Sequence, residues 1–207
     1  MKKRLIFVLV MLLGMGGLYV GSLTKAEDPA RENGTVNKDT AKEWGRYQRS
    51  TGRSGATKEI YLEGKNAVIT MEDYERTVYF FTLQGMGEKQ AKEQAEIYVK
   101  ESAALEEEAR RQGYTVSEKE IEEKIRELQN MEELDETSRK MLEDVIEGYG
   151  GEEEYWKYQK KVYEKLLPVE KMAADLMQKF QEDPQGDGSF QEWYERYKKE
   201  LVKKEFS

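Results

Sequence analysis

Carboxylates are the side chains of this sequence best supplied for chemistry. They gather in runs: Glu106-Glu107-Glu108, Glu122-Glu123 and Glu152-Glu153-Glu154. Two carboxyl groups held close can divide into an acid and a base. Here Lys or Arg stands near each run, so helical register sets the acids beside cations on a solvated face instead. Asp183-Pro184-Gln185-Gly186-Asp187-Gly188 opens like a calcium loop. Its third position is Gln185 and its twelfth is Tyr194, so the bidentate glutamate of such loops is missing and the stretch reads as an interhelical loop. No glycine-rich phosphate motif is present. Cysteine and histidine are both absent. That removes thiol nucleophiles, imidazole bases, disulfides, acylated lipoprotein cysteines and ordinary zinc sites. No catalytic residue, metal ligand or cofactor is assigned, and the chain reads as a non-enzyme.

Binding is the chemistry that remains. The sequence holds 13 Tyr, 6 Phe and 3 Trp, several of them clustered: Tyr79-Phe80-Phe81, Tyr155-Trp156 with Tyr158, and Trp193-Tyr194 with Tyr197. Adjacent residues on a helix point in different directions, so one can be core while its neighbour lines a groove. Exposed aromatic and methionine surface suits loose contact with apolar peptide segments. The residues expected to line such a groove are Tyr79, Phe80, Phe81, Met86, Tyr155 and Trp156. The competing reading is that they fill the core of a small helical domain.

The elements carrying these residues are helical. Charged residues make up 37% of the chain, hydrophobic ones 38%, and only 3 residues are proline. Residues 59–62 and 67–69 flank a turn and read as a short extended segment. Thr70 caps a helix over 71–84, with Tyr74, Val78 and Phe81 on one face. A second helix runs over 88–112; Ala91, Ala95, Tyr98, Ser102, Leu105 and Ala109 form one stripe. Ser117-Glu118-Lys119-Glu120 is a capping box that opens a third helix, with Ile121, Ile125 and Leu128 inward. Asp135 caps a fourth, facing Met141, Leu142, Val145 and Ile146 inward. A long fifth covers 152–182, bent at Pro168. Ser189 to Glu192 opens a sixth.

Residues 1–26 read as a signal-anchor or signal peptide. Lys2-Lys3-Arg4 precede an uncharged stretch over 5–23, long enough to span a bilayer. An uncleaved anchor is the expectation; cleavage after Ala26 would give a secreted form. Either way the basic cluster stays in the cytoplasm and the rest is exported. Residues 27–58, with Pro, Gly, Asn and Ser and no apolar period, read as a disordered linker. Trp44 and Tyr47 within it could touch the membrane interface. Residues 60–207 carry a net charge of −13, against −8 for the whole chain, which disfavours nucleic-acid binding.

The helical part resembles a known family. Asn66-Ala67-Val68-Ile69-Thr70-Met71-Glu72-Asp73-Tyr74 is similar to the strand, "I-T", helix opening of SurA-like chaperone domains. Ala103-Ala104-Leu105-Glu106-Glu107-Glu108-Ala109, followed by Gly113-Tyr114-Thr115-Val116-Ser117-Glu118-Lys119-Glu120-Ile121, resembles the helical module of SurA, PrsA and trigger factor. Residues 148–156 resemble the next helix start of that module. The likeness covers about residues 60–180. It implies an extracytoplasmic chaperone that holds unfolded exported polypeptides. Many members also carry a parvulin prolyl-isomerase domain, which needs histidine and further chain; neither is present, so isomerase activity is not carried over.

The expectation is thus a mostly α protein: an N-terminal transmembrane helix, a flexible tether, and over 59–207 a SurA-like module of about six helices with one short strand segment. It would sit in the cell membrane, single-pass, N-terminus cytoplasmic and domain outside. Its partners would be unfolded or exported polypeptides and, through the N-terminal helix, the membrane, with no nucleotide. The alternative is a non-catalytic cell-envelope scaffold that binds one folded partner.

Overall fold

A computed structural model describes residues 38–51, 59–130, 134–182 and 188–207. The expected membrane segment, the flanking parts of the linker and nearly all of the 183–188 loop lie outside those residues. Among the described residues, about 80% are helical, in 7 helices beside one small two-stranded sheet. None of these helices is long and apolar enough to cross a membrane.

The chain order is α1 (Lys38–Thr51), β1 (Ile60–Glu63), β2 (Val68–Thr70), α2 (Met71–Leu83), α3 (Glu88–Arg111), α4 (Glu118–Gln129), α5 (Glu136–Tyr149), α6 (Glu152–Glu182) and α7 (Phe190–Glu205). Local chemistry sets most of the helix starts. The Thr70 hydroxyl accepts from the Asp73 N–H at 3.1 Å, and the Asp135 carboxylate accepts from Ser138 N–H at 2.9 Å. Both expected capping boxes form, Ser117 with Glu120 and Ser189 with Glu192. α5 ends on Gly150, whose φ of 109° is the left-handed conformation glycine adopts without penalty. α6 is one continuous helix through Pro168.

Two expectations are corrected. Residues 38–51, read as disordered linker, are a helix packed on the domain. Its buried face is Ala41, Trp44, Gly45 and Gln48, a stripe at helical spacing that holds one large apolar residue. Hydrophobicity alone misses it because glycine and glutamine occupy half the face. Trp44 is 1% exposed and lies in the protein core, where it meets Phe80 edge-on at 5.1 Å. The folded unit therefore includes α1 and does not begin at residue 59. The single strand segment proves to be a hairpin: β1 and β2 pair antiparallel, with Ile60 opposite Thr70 and Glu63 opposite Val68.

α1 crosses α5 at very close range. A Cβ on Gly45 would run into the carbonyl of Val145, and one on Gly148 into that of Lys42. Only glycine at both positions lets the backbones touch. Gln48, on the same buried face of α1, hydrogen-bonds the Tyr158 hydroxyl of α6.

The interior has two parts. The first gathers Trp44, Phe80, Phe81, Leu142, Tyr155 and Trp156 from α1, α2, α5 and α6, with Ala91 and Ala95 of α3 and Ile121 and Ile125 of α4. The second joins Leu105 and Ala109 of α3, Val169 and Met172 of α6 and Leu201 of α7. α3 and α6 run through both. α7 is tied to α3 by the buried Lys198, which donates to Glu101 at 2.7 Å. The C-terminal end of α7 also holds the hairpin: the Glu205 carboxylate accepts from Ala67 N–H at 2.6 Å and from Asn66 N–H, while Lys65 N–H donates to the Glu205 carbonyl at 2.9 Å.

Candidate functional site

The residues expected to line a groove do not form one. Phe80, Phe81, Tyr155 and Trp156 are 4%, 0%, 1% and 7% exposed and belong to the first core. Tyr79 and Met86 are half-buried against that core, and the Tyr79 ring is stacked under Tyr47 of α1 at 4.1 Å. The aromatic cluster is thus one packed unit with α1 as its cover. Its rings satisfy each other edge-to-face and by stacking, and a client chain has no access to the buried four.

An open concavity lies elsewhere, between α3 and α6. A cleft of about 290 Å³ is walled by Val68 and Ile69 of β2, by α2, by Val99, Ser102 and Ala103 of α3, and by Val162, Leu166 and Val169 of α6. It continues into a second hollow of about 310 Å³, bounded by Ala67, Arg110, Tyr114 and Pro168. Val68, Ala103, Glu106 and Lys165 line both, so the two are one groove. Its cause is side-chain size. α3 presents Ser102 and Ala103 toward α6, and neither reaches across. Val68 is 50% exposed at the groove edge, held there by the Glu205 contacts to the hairpin turn.

The groove mixes apolar residues with charge: Asp73, Glu106, Glu107 and Glu164 line it together with Arg76, Arg110, Lys161 and Lys165. Arg76 of α2 pairs with Asp73 and, at 3.8 Å, with Glu72. Burial opposes its charge, but the neighbouring Tyr158, Asp73 and Glu72 outweigh it and hold Arg76 firmly protonated. Burial pushes the Tyr98 hydroxyl up to about 12 and also raises Tyr158, so both are neutral hydrogen-bonding groups. Glu106 keeps solvent access, yet the groove walls desolvate its carboxyl and raise its pKa, against the lowering influence of Lys165. These groups offer no paired nucleophile and base. Among the described residues, no group of three or more acidic side chains is placed to hold a metal ion.

The acidic runs divide. Glu107 pairs with Arg110 at 2.6 Å, Glu108 accepts from Arg111 at 2.8 Å and from Gln112 at 2.7 Å, and Glu122 lies 3.7 Å from Lys160. Glu106 lines both hollows of the groove, and Glu107 lines the second. Sequence reasoning missed the groove because its signal is weak: small residues at 102 and 103 with a carboxylate one turn on, beside a conventional core stripe.

No protein-family model matches this chain, and comparison with curated proteins and with solved structures finds no match.

Proposed function

We propose that this protein is a membrane-tethered, extracytoplasmic module that holds apolar segments of unfolded or exported polypeptides, without isomerase or other catalytic activity. The observation that carries this reading is the groove between β2, α3 and α6, in which apolar residues alternate with a balanced set of four acids and four cations. It replaces the aromatic cluster as the contact surface. An extended chain laid along it would bury Val68, Val162 and Leu166 against its own apolar side chains. The ligand has to be ordered on binding, so affinity is low and exchange fast. The likeness to SurA and PrsA and the basic N-terminal cluster support the exported, tethered placement. A net charge of −13 over residues 60–207 would keep a complex with an unfolded chain soluble.

The test is suppression of aggregation of an unrelated, chemically unfolded protein by the full chain. Val68→Asp should weaken holding several-fold, because the residue is half exposed and its loss leaves the fold intact. Undiminished holding by Val68→Asp would place the contact surface elsewhere.

A second reading has its own observation. Phe190, Trp193 and Tyr197 form a half-buried stacked row along α7, with centroids 5.8 and 5.3 Å apart, and Phe180 of α6 lies 5.7 Å from Phe190. Such a rigid aromatic row suits one folded partner, as a scaffold would use. Saturable one-to-one capture of a single envelope protein, lost in Trp193→Ser and retained in Val68→Asp, would favour it.

A further inference from the structure

β2 is an edge strand whose free side lies in the groove. Ala67, Val68 and Ile69 all line it and, among the described residues, none of β1 does. Successive side chains of a strand point to opposite faces, so three in a row share one cavity only along the strand's edge. The register fixes which groups that edge presents. Gly64 N–H donates to the Ala67 carbonyl at 2.8 Å, which makes that pair a hydrogen-bonded one. The next pair, Glu63 and Val68, is then of the other kind, and the N–H and C=O of Val68 point away from β1. Among the described residues no hydrogen bond from outside the hairpin reaches either group.

The two edges of the hairpin differ. β1 carries the irregular pairing between Ile60 and Leu62 and is flanked by the exposed Glu59 and Glu63, features that protect an open edge. β2 has no proline, no charge and no bulge, and Val68 is 50% exposed. The charges of the groove select no ligand of either sign. Asp73 is held by Arg76 and Glu107 by Arg110, and the remaining Glu106 and Glu164 balance Lys161 and Lys165.

We infer that the groove takes its ligand as a third strand on the free edge of β2, recognising the backbone of an extended, uncharged segment. This rests on the polypeptide-binding reading above and deepens it. Val68 N–H donates to a carbonyl of the ligand, and Val68 C=O accepts from a ligand N–H. Val162 and Leu166 of the α6 wall are there to meet its side chains. Any segment without proline at the pairing residue offers the two backbone groups, so holding tolerates many sequences. A lining whose charges sum to zero matches a segment that carries none.

The experiment is a fluorescence-anisotropy titration of the full chain with a short, labelled, uncharged peptide of Val, Thr and Ser, and with the same peptide N-methylated at its central amides. The methylated peptide should bind about tenfold more weakly, having lost its donor to Val68 C=O and its close approach to the edge. Val68→Pro removes an N–H that the hairpin does not use, and proline is tolerated at such an edge position. It should weaken the unmodified peptide by about five- to tenfold. Val68→Thr keeps the N–H at a half-exposed site and should stay within about twofold of the parent. Circular dichroism checks both folds; if Val68→Pro unfolds, the two peptides on the parent decide. Equal binding of those two peptides overturns the assignment and leaves the groove reading standing. Undiminished binding by folded Val68→Pro does the same, as does an equal loss in Val68→Pro and Val68→Thr, because the contact is then the side chain. A parent dimer in analytical ultracentrifugation that Val68→Pro dissolves puts a second copy on the edge and also overturns it. Binding of neither peptide overturns the assignment together with the reading beneath it.

Discussion

Small residues face a neighbouring helix at two places in this molecule, with opposite results. At the α1–α5 crossing, Gly45 and Gly148 oppose each other and the backbones close until they touch. Along α3, Ser102 and Ala103 oppose α6, yet the helices do not close, and the groove remains. The difference is what stands beside the small residues. Beside the crossing, Trp44 meets Phe80 edge-on and Tyr47 stacks on Tyr79, both of α2, so docking α1 buries large rings as well. At the groove, α3 and α6 are already spaced by the cores at either end, and the hairpin is propped at the rim by α7. Residue size permits contact or void; the surrounding packing selects between them.

The largest effect should come from breaking the α1 cover. Trp44→Ala should cost about 3–5 kcal/mol in urea unfolding, the usual range for a buried large aromatic. It should also expose Tyr79 to solvent quenchers. A cost under about 1 kcal/mol would mean that α1 is peripheral and that the aromatic cluster is accessible after all.

Adding one methyl group sharpens the contrast. Gly148→Ala should cost about 1–3 kcal/mol by forcing α1 off α5, despite the better helix propensity of alanine. The comparison fails if Gly148→Ala is neutral or stabilising in the same unfolding measurement.

The Glu205 latch comes next. Glu205→Gln removes the charge that accepts from the Asn66 and Ala67 N–H groups and should cost about 1 kcal/mol at neutral pH. Burial pushes the Glu205 carboxyl up, but the backbone donors of Asn66 and Ala67 outweigh it, so the folded-state value lies below the ordinary one. The stabilisation is therefore complete above the ordinary glutamate value and is lost as pH falls through the folded-state value. The stability gap between parent and Glu205→Gln should shrink on the acid side only. A gap that widens toward acid pH would mean that the carboxylate is not held by those donors. Because Ala67 and Val68 wall the groove, peptide affinity should fall with the latch.

The smallest stability effect should be at the groove wall. Ala103→Leu adds a larger side chain where space exists, and its unfolding free energy should stay within about 0.5 kcal/mol of the parent. Peptide binding should nevertheless be lost, since the groove is filled. Unchanged binding would detach function from this cavity.

Legibility of the fold followed the range of the interactions. Thr70, Ser117, Asp135 and Ser189 are read as caps from neighbours three residues away, and each caps a helix. The stripe of α3 through Ala91, Ala95, Leu105 and Ala109 is buried as its spacing requires. α1 escaped notice because its face depends on glycines whose value appears only against α5, about a hundred residues on. The groove escaped for the same kind of reason. Phe80 and Trp156 have the chemistry of contact residues, and nothing near them in the chain reveals that α1 covers the cluster.

What the sequence determined by itself is the six helices after residue 70, their starts and most of their inward faces, together with the absence of cysteine and histidine chemistry. Caps and amphipathic spacing act within one or two turns, so they are written into adjacent residues. Tertiary structure alone decided that α1 joins the fold, that the aromatic cluster is core, and that an open groove remains between α3 and α6. Each of these depends on which distant side chain stands opposite, and on whether it is large enough to fill the space between.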